Sequence, residues 1–155
     1  YPLAAVAGKR DIMNVVGRGV AQGGTFNNNK PGVAAAFVTL EKLQSEPILE
    51  TIARRGRRLM EGLHGIFEAA GLQASFRGHP AMFSYAFGVE QVTCQREWDA
   101  SDRDYYLRLV DAAIERGVMP DHDPREPWYL CYAHSESDID ETLNVMADAV
   151  RVVRR

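Results

Sequence analysis

The chain has 155 residues, 46% of them hydrophobic, and a formal net charge of -3, enough for one core of ordinary size or two small subdomains and poorly suited to a nucleic-acid surface. No apolar run approaches the roughly 20 residues of a membrane-spanning helix. Cys94 and Cys131 form no Cys-x-x-Cys pair, so no disulfide framework is expected and a reducing, cytoplasmic setting is.

Tyr1 to Ala7 is short and apolar, the pattern of a buried strand or turn, and Lys9 to Val16 reads as a short exposed helix. Opening on this apolar segment rather than on methionine, the sequence reads as a piece of something longer. A glycine-rich stretch follows, Gly23-Gly24-Thr25-Phe26-Asn27-Asn28-Asn29-Lys30-Pro31-Gly32. A glycine pair, a hydroxyl and three amides just ahead of a helix start can turn several donors toward one anionic group, which is a phosphate-binding arrangement in outline. Pro31 suits a first helical turn, where its missing N–H costs nothing. The alanine- and leucine-rich run Val33 to Leu43 is then expected to be a helix buried on several sides.

Pro47 opens the next predicted helix, with Ile48, Ile52, Leu59, Leu63, Ile66, Phe67 and Ala70 recurring on one face and Gly71 placed to end it. Its length suits a link between two subdomains. It contains the densest basic cluster, Arg54-Arg55-Gly56-Arg57-Arg58, which its helical setting marks as a solvated face. Beyond Gly71 the period becomes alternating: Phe83, Tyr85 and Phe87 point one way and Met82, Ser84 and Ala86 the other, as in a half-buried strand. A second strand is predicted at Trp128 to Tyr132. Between them, Ser101 to Arg116 carries Tyr106, Leu109, Val110 and Ala113 at helical spacing, closed by Gly117. Ser137 is expected to cap a last helix with Ile139, Leu143, Met146 and Val150 inside and Asp138, Asp140 and Glu141 complementing its dipole. Alternating strands and helices predict α/β or α+β architecture.

Several short motifs in this order resemble the class III pyridoxal-phosphate aminotransferases, the glutamate-1-semialdehyde aminomutases among them. Tyr1-Pro2-Leu3-Ala4-Ala5 and Gly8-Lys9-Arg10-Asp11-Ile12-Met13 fit the segment that follows the family's Schiff-base lysine. Gly78-His79-Pro80-Ala81-Met82-Phe83, Glu115-Arg116-Gly117-Val118 and Ala133-His134-Ser135-Glu136-Ser137-Asp138-Ile139-Asp140 resemble three motifs of its C-terminal domain. The resemblance implies an α/β fold of type I. Residues 1–46 would be the end of the large cofactor domain, and 47–155 the linking helix and the small C-terminal domain. The lysine would lie a few residues before Tyr1, on an N-terminal half that also carries the ring-stacking aromatic and the aspartate for the pyridine nitrogen. By itself this chain would then be inactive. The whole enzyme would be a homodimer with pyridoxal 5'-phosphate at the subunit interface, moving an amino group between a small amino acid or amine and the cofactor.

The resemblance assigns cofactor binding to Gly24 and Thr25, the threonine donating its hydroxyl and backbone N–H to the phosphate of the neighbouring subunit. Read without it, Thr25 is a turn residue capping the next helix. Lys30 separates Asn29 from Pro31 where the family has Asn-Pro, which leaves the roles of Asn27 to Asn29 open. Arg125 and Glu126 fall where the family reaches the substrate, with a glutamate in the aminomutases and a carboxylate-holding arginine in several aminotransferases; the other reading is a solvated loop between Pro124 and Pro127. Lys9, Lys30 and Lys42 read as ordinary solvated lysines. Asp121-His122-Asp123 reads as a loop rather than a metal cluster, and His134 as part of the last helix's capping region. A standalone, non-catalytic α/β domain for self-association or partner binding is the alternative.

Overall fold

The computed structural model describes residues 1 and 3–153. Pro2, part of the opening motif, lies outside the described residues. The chain divides into two compact units, Tyr1–Pro47 and Ile48–Arg155.

The first unit holds two helices, α1 at Arg10–Met13 and α2 at Lys30–Ser45. Leu3 to Ala7 is exposed and forms no strand, contrary to the buried segment its composition suggests, because this unit offers it no strand to pair with. Pro31 takes a first-turn position of α2, as expected. The expected burial of that helix is corrected: Gly32 is its one buried residue among those described, and Phe37 is 64% exposed. Val33, Phe37 and Leu40 form an apolar stripe at helical spacing that this unit leaves uncovered.

The second unit contains the core. Helix α3 (Ile48–Ala69) leads into strands β1 (Ala74–His79) and β2 (Met82–Phe87). The short helix α4 (Gln95–Asp99), helix α5 (Arg103–Ile114), strand β3 (Trp128–Tyr129) and helix α6 (Glu136–Val153) follow. The sheet is antiparallel in the order β1-β2-β3. Phe76 pairs with Tyr85, and Phe83 with Trp128, so these rings share one face with Phe87. Phe67 of α3 meets Phe76, Tyr85 and Phe87, and α5 adds Tyr105 against Phe87 and Tyr106 against Tyr85. Leu63, Leu109 and Met146 complete this interior from α3, α5 and α6. Each such side chain contributes about 1.5–3 kcal/mol by leaving water.

Gly71 (φ +69) ends the α3 region and Gly117 (φ +92) follows α5, both in the left-handed conformation that glycine tolerates. Asp102 caps α5 by accepting from the Tyr105 N–H at 2.9 Å. Three expectations for this unit are corrected. β2 is buried on both faces from Phe83 to Phe87, Ser84 and Ala86 included, while Met82 at its start stays exposed. β1 and α4 went unread. β3 is two residues long because Cys131–His134 closes a turn, His134 N–H donating to the Cys131 carbonyl at 3.2 Å. The cap of α6 is Ser135, not Ser137. Ser135 Oγ accepts from the Asp138 N–H at 3.2 Å and Asp138 Oδ2 accepts from the Ser135 N–H at 2.6 Å, a reciprocal capping box.

The arginine cluster is paired as well as solvated. Arg54, Arg55 and Arg58 all reach Glu136, at 2.7, 3.3 and 3.0 Å, and Arg58 also binds Asp140. Arg54 first, then Arg58 and Arg55, hold the Glu136 carboxyl below its usual range. Buried Gly56 sits among them with the Pro80 carbonyl against its backbone, so the β1–β2 turn rests directly on α3.

Candidate functional site

The glycine-rich stretch of the first unit is a pair of tight turns. Asn27 N–H donates to the Gly24 carbonyl at 3.0 Å and Asn29 N–H to the Phe26 carbonyl at 3.3 Å, while Asn28 takes φ +61, a conformation that asparagine tolerates better than most residues. A Cβ on Gly24 would stand 3.0 Å from Asn27 Oδ1, the far end of a side chain that can swing aside. The cap position of α2 belongs to Asn29, which makes no side-chain cap bond. Thr25 therefore does not cap that helix. Among the described residues neither its hydroxyl nor its N–H is spent on a hydrogen bond, and its side chain is exposed. A glycine, a free hydroxyl and a free amide side by side form a donor set suited to a phosphate.

Arg125 and Glu126 lie in the loop that joins α5 to β3, both exposed. Three side chains fix the loop. The Tyr106 hydroxyl donates to the Asp121 carbonyl at 2.9 Å, His122 Nε2 meets Asp111 Oδ1 at 2.7 Å, and Asp121 Oδ1 accepts from the Asp123 N–H at 2.8 Å. Asp123 then takes the Arg125 fork: Nε lies 2.9 and 3.0 Å from its two oxygens, and Nη2 also binds Oδ2. Hydrogen bonds from the Arg125 side chain and backbone hold the Asp123 carboxyl down at about 2, from an ordinary 3.8. The guanidinium also lies 5.9 Å from the centroid of the Trp98 ring. Arg125 thus donates its planar fork to the Asp123 carboxylate at the surface.

A groove of about 510 Å³ runs beside this loop, walled by Val118, Met119, Trp128, Leu130, His134 and Glu141 among others. Arg125 and Glu126 are not in its walls. Asp121, His122 and Asp123 turn to separate partners, and among the described residues no three histidine, cysteine, aspartate or glutamate side chains gather around one point. Lys9, Lys30 and Lys42 are exposed, Lys42 paired with Glu46 at 3.2 Å, the setting of ordinary solvated lysines. His134 belongs to the turn before α6. Two participants were missed in the sequence: Asp123 as the holder of Arg125, for which the Asp-x-Arg spacing was the available signal, and Cys131, which the spacing Cys-x-x-His sets beside His134.

An aminotransferase class-III family model matches residues 1–150. Glutamate-1-semialdehyde 2,1-aminomutase of Methanopyrus kandleri is 30% identical over 152 residues, covering 96% of this chain and 35% of that protein. The 3-aminobutyryl-CoA aminotransferase of Cloacimonas acidaminovorans is 26% identical over 155 residues, covering 100% and 35%. Among solved structures, the PLP internal aldimine form of the FumI protein from Sphingopyxis sp. MTA144 has a TM-score of 0.80 and 25% identity, over 96% of this chain and 33% of that one. An omega-transaminase from Sphaerobacter thermophilus shares the fold, at a TM-score of 0.75 and 20% identity over 96% and 35%. The chain therefore spans about a third of the length of the curated relatives it matches. With its motifs in family order and the family's pattern running from Tyr1 to Val150, this chain belongs to the class-III aminotransferases.

Proposed function

We propose that this chain supplies part of the cofactor and substrate site of a pyridoxal-phosphate-dependent aminotransferase or aminomutase. In this reading residues 1–46 are the end of the large cofactor domain and residues 47–155 the linking helix and the small domain. An N-terminal half carries the lysine that holds the cofactor, and two subunits complete the site at their interface. The reading rests on the family match and on the names of the relatives, which include both reaction types. The observation that carries it is Thr25. Its hydroxyl and N–H are unspent, beside Gly24, while the helix cap belongs to Asn29.

Pyridoxal phosphate, when bound, supplies the electron sink for moving an amino group between carbon atoms. The chain's own residues bind and orient. Thr25 donates its hydroxyl and backbone N–H to the phosphate, and Gly24 leaves room for the approach. Arg125 grips a substrate carboxylate with its fork. Glu126 adds a negative charge at the same loop that attracts an amino group. The test is Thr25→Ala in the enzyme assembled from this chain and its N-terminal half. Losing a hydroxyl bond to a charged phosphate costs about 1.5–3 kcal/mol, so cofactor affinity titrated by visible absorbance falls at least tenfold while the melting temperature holds. Unchanged affinity would remove Thr25 from the site.

A further inference from the structure

A guanidinium has two edges that can each hold a carboxylate through two parallel bonds, one made by Nε and Nη2 and the other by Nη1 and Nη2. In Arg125 the first edge is filled by Asp123, with Nε 2.9 and 3.0 Å from its two oxygens and Nη2 bound to Oδ2. Among the described residues Nη1 donates to no acceptor, and the side chain is 65% exposed. The second edge is therefore open. The hold on Arg125 also reaches back to the core. Buried Tyr106 donates to the Asp121 carbonyl at 2.9 Å, Asp121 Oδ1 accepts from the Asp123 N–H at 2.8 Å, and Asp123 Oδ1 accepts from the Arg125 backbone N–H at 2.9 Å. The Asp123 carboxylate thus grips both the main chain and the side chain of Arg125, from a loop that helix α5 anchors.

We propose that Asp123 is a positioning residue for carboxylate recognition: it fixes Arg125 by the Nε and Nη2 edge so that the Nη1 and Nη2 edge faces the substrate. This rests on the reading of Arg125 as the grip on a substrate carboxylate. Asp123 stays in place when that carboxylate binds, and the two anions take neighbouring edges of one fork. The gain is preorganisation, because a long side chain that is already held loses less freedom when its ligand arrives. The aspartate also balances the guanidinium charge, so the open edge selects by the geometry of two parallel bonds more than by net charge. A substrate without a carboxylate gains nothing from the arrangement.

The test uses the enzyme assembled from this chain and its N-terminal half, with alanine and ethylamine as amino donors, which differ only by the carboxylate. Single turnovers followed by cofactor absorbance read even slow donors. Asp123→Asn keeps an oxygen for the Arg125 N–H but loses the two-bond hold on the fork. It is expected to raise the half-saturating concentration of alanine about two- to tenfold, the cost of ordering one long side chain, with the limiting rate and the ethylamine reaction unchanged. In an Arg125→Gln background the same substitution should add nothing, since Asp123 acts through Arg125 alone. A fall or no change in the alanine value overturns the proposal, and so does a loss that persists in the Arg125→Gln background, as a general disturbance of the loop would give. The parent reading has its own control: Arg125→Gln alone must weaken alanine and spare ethylamine. If it does and Asp123→Asn does not, the grip stands and the positioning role falls; if Arg125→Gln moves neither donor, both fall.

Discussion

Two glycines on α3 make opposite demands and give a matched pair of substitutions. At Gly56 an added Cβ would stand 2.0 Å from the Pro80 carbonyl oxygen and 2.5 Å from its carbon. Non-bonded carbons sit at about 3.5 Å, so the β1–β2 turn must retreat by about 1 Å or more. The obstacle is backbone, and no side-chain rotation relieves it. Overpacking of this kind costs about 1–3 kcal/mol, and the upper end applies where helix and hairpin must part. The gain of about 1 kcal/mol in helix propensity offsets some of it. Gly56→Ala is therefore expected to lose about 2 kcal/mol, or about 8–16 °C in melting temperature for a unit of this size. At Gly65, exposed on the same helix, an added Cβ meets nothing within 4 Å. Gly65→Ala keeps the propensity gain and melts higher, by about 0.5–1 kcal/mol. Thermal unfolding followed by circular dichroism measures both. A Gly56→Ala variant that melts at or above the unaltered chain would refute the close seating of the hairpin on α3.

Arg125→Lys in the assembled enzyme is expected to slow turnover of amino acids more than of simple amines, because an ammonium cannot reproduce the bidentate fork; equal losses for both substrate classes would place the carboxylate grip elsewhere. The Asp123 carboxyl, lowered from 3.8 to about 2 by Arg125, contributes its stabilisation above the ordinary aspartate range and loses it as pH falls toward 2. Carbon-detected NMR titration should find that midpoint, and Arg125→Gln should return it to the ordinary range. The uncovered stripe of Val33, Phe37 and Leu40 is expected to make this chain self-associate when purified without its N-terminal half. A monodisperse monomer in sedimentation would show that the stripe needs no cover.

The three long helices of the second unit, α3, α5 and α6, were legible because each carries its own period. Leu59, Leu63 and Phe67 on α3, or Tyr106, Leu109, Val110 and Ala113 on α5, announce a buried face over about two turns. β1 was not, since Ala-Ser-Phe-Arg-Gly-His offers one large apolar residue, Phe76, and draws its identity from pairing with β2. Ser84 and Ala86 misled for a related reason: small residues on a central strand are covered by what lies across from them, which a local pattern does not record. The exposure of α2 ran against its composition, because an apolar helix states that a cover is needed and not where the cover is. At the candidate site, the turn around Thr25 was visible in its glycines and amides. The grip of Asp123 on Arg125 depends on a loop anchored from Tyr106 and Asp111, residues well back along the chain.

The meeting of α3 with α6 sets an order of events in synthesis. Leu59 and Leu63 emerge early, yet Ile139, Met146 and Val150, which share their cluster, come from the last helix, as do the Glu136 and Asp140 carboxylates that the arginines bind 78 to 82 residues downstream. Closing a loop of that span precedes any reward from the contacts it makes possible. Until the final turns of α6 leave the ribosome, α3 and α5 lack the helix that packs against both of them. A message cut short before Glu136 would thus yield a sticky chain with neither the hydrophobic closure nor the charged clasp, one for proteases and chaperones to sort.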